Sequence, residues 1–431
     1  MRPHAIVLGA GPAGLAFAHR YGSGAIVLEK SLEVGGLSRS IAIEDGVFDV
    51  GGHAFHTPHE RVRELVHALM DGAWHEQVRD ARVWVSGHLI AYPFQQHFEM
   101  LDDQAIVDDC RGHRVDPDSV ARSAHFEEWI LRRFGNGVAH HFMLPYNRKL
   151  WAGDLSEMSC EWVGERVASD RPPAPLAATG VPARQPLQSD SNVGYPADGG
   201  FGSIFVALAA RCERIELGEQ VVSIDPSSHR LQTASGRSWS WETIVSTMPL
   251  PRLLGCIAGC PGRLIEHASM LRAVSLKILL ILARLRDRNV PQRIYIADPA
   301  IPPHKVAFNH TSSATLSARE NHAITCEVSY SPRKPARPDD EILARTIDWL
   351  VANRFIESAD RVVTARVVDV PYGYPVPTRD GATIVSEITH HLESMGIHSI
   401  GRFGSWSYAN SDACMLQGLE LADRLLAGSG P

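Results

Sequence analysis

Three glycines, Gly9, Gly11 and Gly14, are spaced as GxGxxG between the apolar strand HAIVLG and an apolar helix, and Glu29 closes the next strand, AIVLEK. These residue types suit phosphate and ribose binding. Gly9 makes a tight turn, Gly11 lets backbone approach a pyrophosphate, and Gly14 lets helix pack on strand, while the helix N-terminus attracts the phosphate charge. Glu29 can then accept from ribose hydroxyls. A second chemical stretch follows at FDVGGHAFH, Phe48 to His56, where a short strand runs through two adjacent glycines into His53.

Between these stretches lies GGLSRS, Gly35 to Ser40. It resembles the second glycine element of FAD-binding oxidoreductases, at a place where an NAD domain would put another helix and strand. The expected dinucleotide is therefore FAD, with Gly36 and Arg39 near its diphosphate. Gly52 and His53 are then expected against the reactive face of the flavin, with His53 beside N5. The bland alternatives are a surface arginine in a turn and a histidine satisfied inside a glycine loop.

The remaining elements must position these groups. Val62, Leu65, Val66, Leu69 and Met70 recur at helical spacing, as do Phe126, Trp129, Ile130 and Phe134. Between them RDARVWVSGHLIAYPFQQ reads as two short strands ending in a Tyr-Pro turn. A proline-rich exit, DRPPAPLAATGVPARQPLQSDSN, is either a flap or a connection. Strand patterns return at RIELGEQVVSID, RLQTASGRSWSW and ETIVSTMPLPRL, then at SLKILLILARL, RIYIAD, KVAFNH, AITCEVSY and ARVVDVPYGYP. A final strand, loop and amphipathic helix end the chain, the helix N-terminus aimed at the pyrimidine end of a flavin and Met415 on its cofactor side. The expected fold is α/β: a discontinuous FAD-binding Rossmann-type, glutathione-reductase-like domain (1–60, 195–250, 390–431), a mostly helical insertion with a flap (61–194), and an antiparallel substrate sheet (251–389).

Composition narrows the function classes. The 431 residues, 44% hydrophobic with a net charge of −7, suit a large buried core, and no basic block offers a nucleic-acid footprint or a membrane patch. Five lysines stand among 42 lysines and arginines, so arginine abundance alone says little about phosphate binding. Seven scattered cysteines without paired CxxC spacing read as free thiols in a reducing compartment. No metal-ligand spacing is found. AVSLKILLILARL is too short to span a bilayer, and the chain enters its first strand without separate signal regions. A cytoplasmic protein is expected, its oligomeric state open.

Four motifs in order resemble the UDP-galactopyranose mutase family, in its eukaryotic-type branch: FDVGGHAFH; AYPFQ at Ala91–Gln95; FMLPYNRKLWAGDLSEMSCEWVGERVA at Phe142–Ala168, followed by YPADGGFGSIF; and GRFGSWSY at Gly401–Tyr408. The resemblance implies a redox-neutral reaction on reduced FAD, in which flavin N5 attacks the anomeric carbon of a nucleoside-diphosphate hexose and the ring recloses through another hydroxyl. NADPH or NADH is the implied reductant. His53 matches the family's flavin-facing histidine and Arg166 an arginine that clamps the diphosphate. Asn147 and Trp151 match the sugar pocket, Tyr92 and Gln95 the nucleotide pocket. Tyr295 and Tyr374 match phenols that bind the diphosphate; Tyr408 and Arg402 match its last, flavin-adjacent contacts.

The chain also departs from that pattern. Where the family carries a second diphosphate arginine, either Lys305 stands in its place or the gap is misplaced and Arg293 or another residue serves. The loop after Tyr408, ANSDACM, is about three residues shorter than the resemblance implies, and the flap offers only Asn192 as a sugar contact. A competing reading is an FAD-dependent oxidase or desaturase of the amine-oxidase-like superfamily. Others are an enzyme of a specialised pathway that diverts the flavin–sugar adduct, and a binding protein without turnover.

Overall fold

A computed structural model describes residues 5–112, 115–163, 167 and 192–428. Its first layer is a parallel five-stranded sheet in the order Ile397–Ser399, Thr243–Ser246, Ala5–Leu8, Ala25–Glu29, Ile215–Leu217. Ala5–Leu8 and Ala25–Glu29 are buried throughout, as parallel strands covered on both faces must be, which is why both read as unbroken apolar runs. The helix Pro12–Tyr21 and the C-terminal helix Ser411–Gly428 cover one face. They pack closely enough that a Cβ at Gly418 would lie 2.3 Å from the Ala13 carbonyl.

A seven-stranded mixed sheet forms the second layer, in the order Val362–Pro375, Ala273–Ala283, His322–Tyr330, Lys305–Phe308, Arg293–Ile296, Ala81–Val85, His88–Ala91. All neighbours are antiparallel except Arg293–Ile296 with Ala81–Val85. The hairpin at 81–91 thus joins the seven-stranded sheet, although its sequence neighbours form the helical segment. Long-range parallel pairing leaves no local pattern to read. The stretch expected as sheet also contains helices: Asp339–Ala352 packs against the seven-stranded sheet, and Gly262–Met270 and Gly381–Glu393 pack with Leu250–Cys256 on the Rossmann side.

The helix Phe126–Val138 is interrupted at Gly135 and passes through a π-helical turn, Ala139–Met143, into Leu144–Trp151. Lys149 on the last helix is buried, and its Nζ donates at 2.8 Å to the carbonyls of Asp298, Ile301 and Pro303. That ties the helix to the loop leading into Lys305–Phe308. No helix among the described residues is long and apolar enough to cross a membrane.

Candidate active site

One cleft of about 1110 Å³ runs between the two layers. Its first end is lined by Gly9, Gly11, Glu29, Gly36 and Arg39, with Glu219 to Val222 and Pro249 opposite. A Cβ at Gly14 would fall 2.1 Å from the Gly9 carbonyl, whereas one at Gly11 would meet nothing within 4 Å, so Gly11 presents bare backbone to the cleft. The helix Pro12–Tyr21 begins there, and its first-turn N–H groups have no partner within the helix. Glu29 is buried and accepts from Ala10 N at 2.7 Å and Ser31 N at 2.9 Å, which fixes its carboxylate at the cleft edge. Arg39 donates to Gly36 O at 2.8 Å. Open backbone, helix N-terminus and a fixed carboxylate fit a dinucleotide.

The Gly51–Gly52–His53 turn lines the middle of the cleft. Asp49, which leads into it, is buried and accepts from the Ser40 hydroxyl (2.6 Å), the Tyr195 hydroxyl (2.7 Å) and Phe201 N (3.0 Å). Burial pushes its pKa up to about 6. The His53 ring stacks on Phe201, and its Nε2 lies 3.1 Å from both Leu37 O and Val50 O. Two carbonyl neighbours assign the proton to Nε2 and leave Nδ1 as acceptor. Burial first, then the Lys305 charge, pulls the His53 pKa down to about 4, so the ring is neutral at physiological pH.

The third part faces the seven-stranded sheet. Tyr295, Lys305 and Glu327 are direct cross-strand neighbours in one row. Arg293 lies two residues before Tyr295 on the same face. Arg79 Nη2 donates to the Tyr295 hydroxyl at 2.8 Å. Burial alone would raise the Tyr295 pKa, but Arg79, Arg293 and Lys305 outweigh it and bring the phenol down to about 8. Lys305 Nζ meets Glu327 Oε1 at 2.5 Å, and Tyr374 donates to Oε2 at 3.0 Å. Tyr92 and Gln95 line the same cleft, the Tyr92 ring 5.0 Å from that of Tyr295. Such a wall of cations and phenols can hold an anion and steady charge on a leaving group.

The structure gathers most of the sequence-derived site residues in this cleft: Asn147, Arg402 and Tyr408 also line it. Asn147 donates Nδ2 to Met143 O at 2.8 Å. Arg402 is committed to Ala409 O at 2.7 Å and Gly373 O at 3.2 Å, with its guanidinium over the Tyr374 and Tyr408 rings. Three of the expected residues do not line the cleft. Trp151 is fully buried one layer behind the wall, against Trp162, Tyr374 and Tyr408, and Trp162 lines the cleft instead. Met415 is fully buried in the core beneath its helix, and Asp412 and Cys414 face the cleft. Asn192 is exposed, pairing with Val78 at a strand end, and strand alternation turns Val193 inward. Arg166 and most of the proline-rich stretch lie outside the described residues. Sequence reasoning missed Arg79, Tyr146, Glu327 and His304, all in the cleft wall.

Residues 7–69 match a family model described as an NAD(P)-binding Rossmann-like domain. The whole chain is similar to a crystal structure of reduced UDP-galactopyranose mutase, 26% identical with a TM-score of 0.87, covering 100% of this chain and 95% of that one. A conjugated-linoleic-acid (CLA)-producing fatty acid isomerase from P. acnes is 16% identical, with a TM-score of 0.68 and 98% of each chain covered. Cyclohexylamine oxidase from Brevibacterium oxydans IH-35A is 14% identical, with a TM-score of 0.71 and 99% of each chain covered. The last two share the fold alone.

Proposed function

We propose that the protein binds FAD and, with the flavin reduced, interconverts the pyranose and furanose forms of a nucleoside-diphosphate hexose, UDP-galactose being the default substrate. The observation that supports this most is the row of Tyr295, Lys305 and Glu327 with Arg79, Arg293 and Tyr374 beside the Gly52–His53 turn, in a chain similar over its whole length to a reduced UDP-galactopyranose mutase. An amine substrate would find no use for so many cations around one phenol.

A bound reduced flavin supplies the nucleophile for the anomeric carbon. The protein's part is position and charge. His53, neutral and held by two carbonyls, offers Nδ1 as an acceptor beside the reacting atoms without placing a second cation there. Tyr295 with Arg79 and Arg293 steadies the departing diphosphate. Tyr92 and Gln95 take the nucleoside, where an aromatic ring can stack on the base. Asn147, Trp162 and Tyr408 close the sugar side against water. Arg166 acts as the second grip on the diphosphate, a nicotinamide cofactor reduces the flavin, and the protein works in the cytoplasm as a eukaryotic-type member of its family.

The test is to incubate reduced and oxidised holoprotein with UDP-galactofuranose and follow pyranose formation by chromatography. Turnover is expected in the reduced state alone. Turnover confined to the oxidised state, with hydrogen peroxide released, would overturn the proposal.

A further inference from the structure

Glu327 is the most heavily engaged carboxylate in the cleft wall, and the reaction as proposed gives it no part. It lies on the strand His322–Tyr330, with its side chain 1% exposed. Oε1 accepts from the backbone N–H of Gly52 at 2.7 Å and from Lys305 Nζ at 2.5 Å, and Oε2 accepts from the Tyr374 hydroxyl at 3.0 Å. His304 Nε2 stands 3.5 Å from Oε2, too far for a good hydrogen bond. Three separate elements therefore meet at one buried charge: the glycine turn, the strand Lys305–Phe308 and the end of the strand Val362–Pro375.

The glycines are fitted to this arrangement. A Cβ at Gly51, where φ is +99°, would lie 3.2 Å from Glu327 Oε1, and one at Gly52 would lie 3.3 Å from Lys305 Cε. Carboxylate and lysine stem occupy the space a side chain at either position would need, and the bare glycine backbone lets Gly52 N–H reach the carboxylate directly. A buried carboxylate held this way cannot surrender a partner without cost. Yet Lys305 and Tyr374 are two of the groups an incoming diphosphate would draw on.

We infer that Glu327 is a positioning residue that couples anion binding to the Gly51–Gly52–His53 turn. An anion that recruits Lys305 draws its ammonium from Oε1, the oxygen that also accepts from Gly52 N–H, and one that recruits Tyr374 frees Oε2, so either contact changes the carboxylate's hold on Gly52. Lys305 is accordingly a spring-loaded cation, and Arg293, which has no ion pair among the described residues, makes the first contact with the anion. The inference rests on the nucleotide-sugar reading of this cleft.

UDP is titrated into the oxidised holoprotein, with heat and flavin absorbance recorded together. In the wild type UDP binds and shifts the flavin bands. In Glu327→Gln the amide oxygen still accepts from Gly52 but Lys305 is released. UDP affinity is expected to rise about tenfold, with the flavin shift lost. Should that variant not fold, the double variant Glu327→Gln with Lys305→Gln, which buries a neutral pair, is expected to bind UDP with no flavin shift. A wild-type flavin response to UDP retained in whichever variant folds overturns the inference. Failure of the wild type itself to bind UDP overturns the nucleotide-sugar reading on which it rests. Melting temperature alone, which a merely structural carboxylate would also move, does not enter the decision.

Discussion

The two ends of the cleft are built to receive an anion in different ways. At the dinucleotide end the work is done by backbone: Gly11 leaves its face bare, the helix Pro12–Tyr21 points its first turn inward, and Glu29 is fixed by two main-chain N–H groups. At the other end it is done by side chains from widely separated strands, Arg79, Arg293, Tyr295, Lys305 and Tyr374, with Glu327 partly neutralising them. Backbone recognition is rigid and indifferent to protonation. Side-chain recognition can be retuned by one substitution and responds to pH.

The largest effect should come from breaking the backbone end. Gly14→Ala puts a methyl group 2.1 Å from the Gly9 carbonyl, an overlap only backbone movement can relieve. A loss of roughly 3 kcal/mol in denaturant unfolding, with flavin lost on gel filtration, is expected. A variant that purifies yellow with an unchanged midpoint would refute the role given to that close approach.

At the side-chain end the fold should survive while the ligand leaves. Arg293→Ala is expected to weaken UDP binding by about 100-fold, roughly 2.7 kcal/mol, while retaining flavin. Equal loss of flavin and UDP would erase the contrast between the two ends.

The smallest and most selective effect concerns pH. The Tyr295 phenol, brought down to about 8 by its three cationic neighbours against the opposing pull of burial, ionises as pH rises through that value. Its phenolate neutralises part of the anion site, so UDP affinity should fall several-fold between pH 7 and pH 9. The tyrosinate ultraviolet band should grow in the same range, and both changes should vanish in Tyr295→Phe. A profile that is flat in the wild type, or equally steep in the variant, would remove Tyr295 from the anion site.

The same contrast decides what could be read from sequence. Gly9, Gly11, Gly14 and Glu29 lie within one strand–helix–strand unit, where spacing alone carries the geometry. The far end depends on register between strands hundreds of residues apart, so Ala81–Val85 beside Arg293–Ile296 had no local signature. Met415 and Trp151 stand on the helices expected but face the core, whereas Asn192, expected in the flap, begins a strand with its side chain exposed. Glu327 did leave a trace, a lone carboxylate in AITCEVSY, a strand otherwise buried almost end to end. A charge in such a run demands a partner, and Lys305, one of five lysines in the chain, supplies it.

Lys149 gives the loop before Lys305 a property of its own. Burial draws its pKa down to about 7, while all three of its protons are spent on the carbonyls of Asp298, Ile301 and Pro303. Closed, the cage makes this amine inert toward acylating reagents; opened, it would expose the amine to solvent, where relief of burial returns its pKa toward the ordinary lysine range and labelling rises with pH. The loop before Lys305 thus carries a built-in reporter of its own opening, written in lysine reactivity instead of in shape.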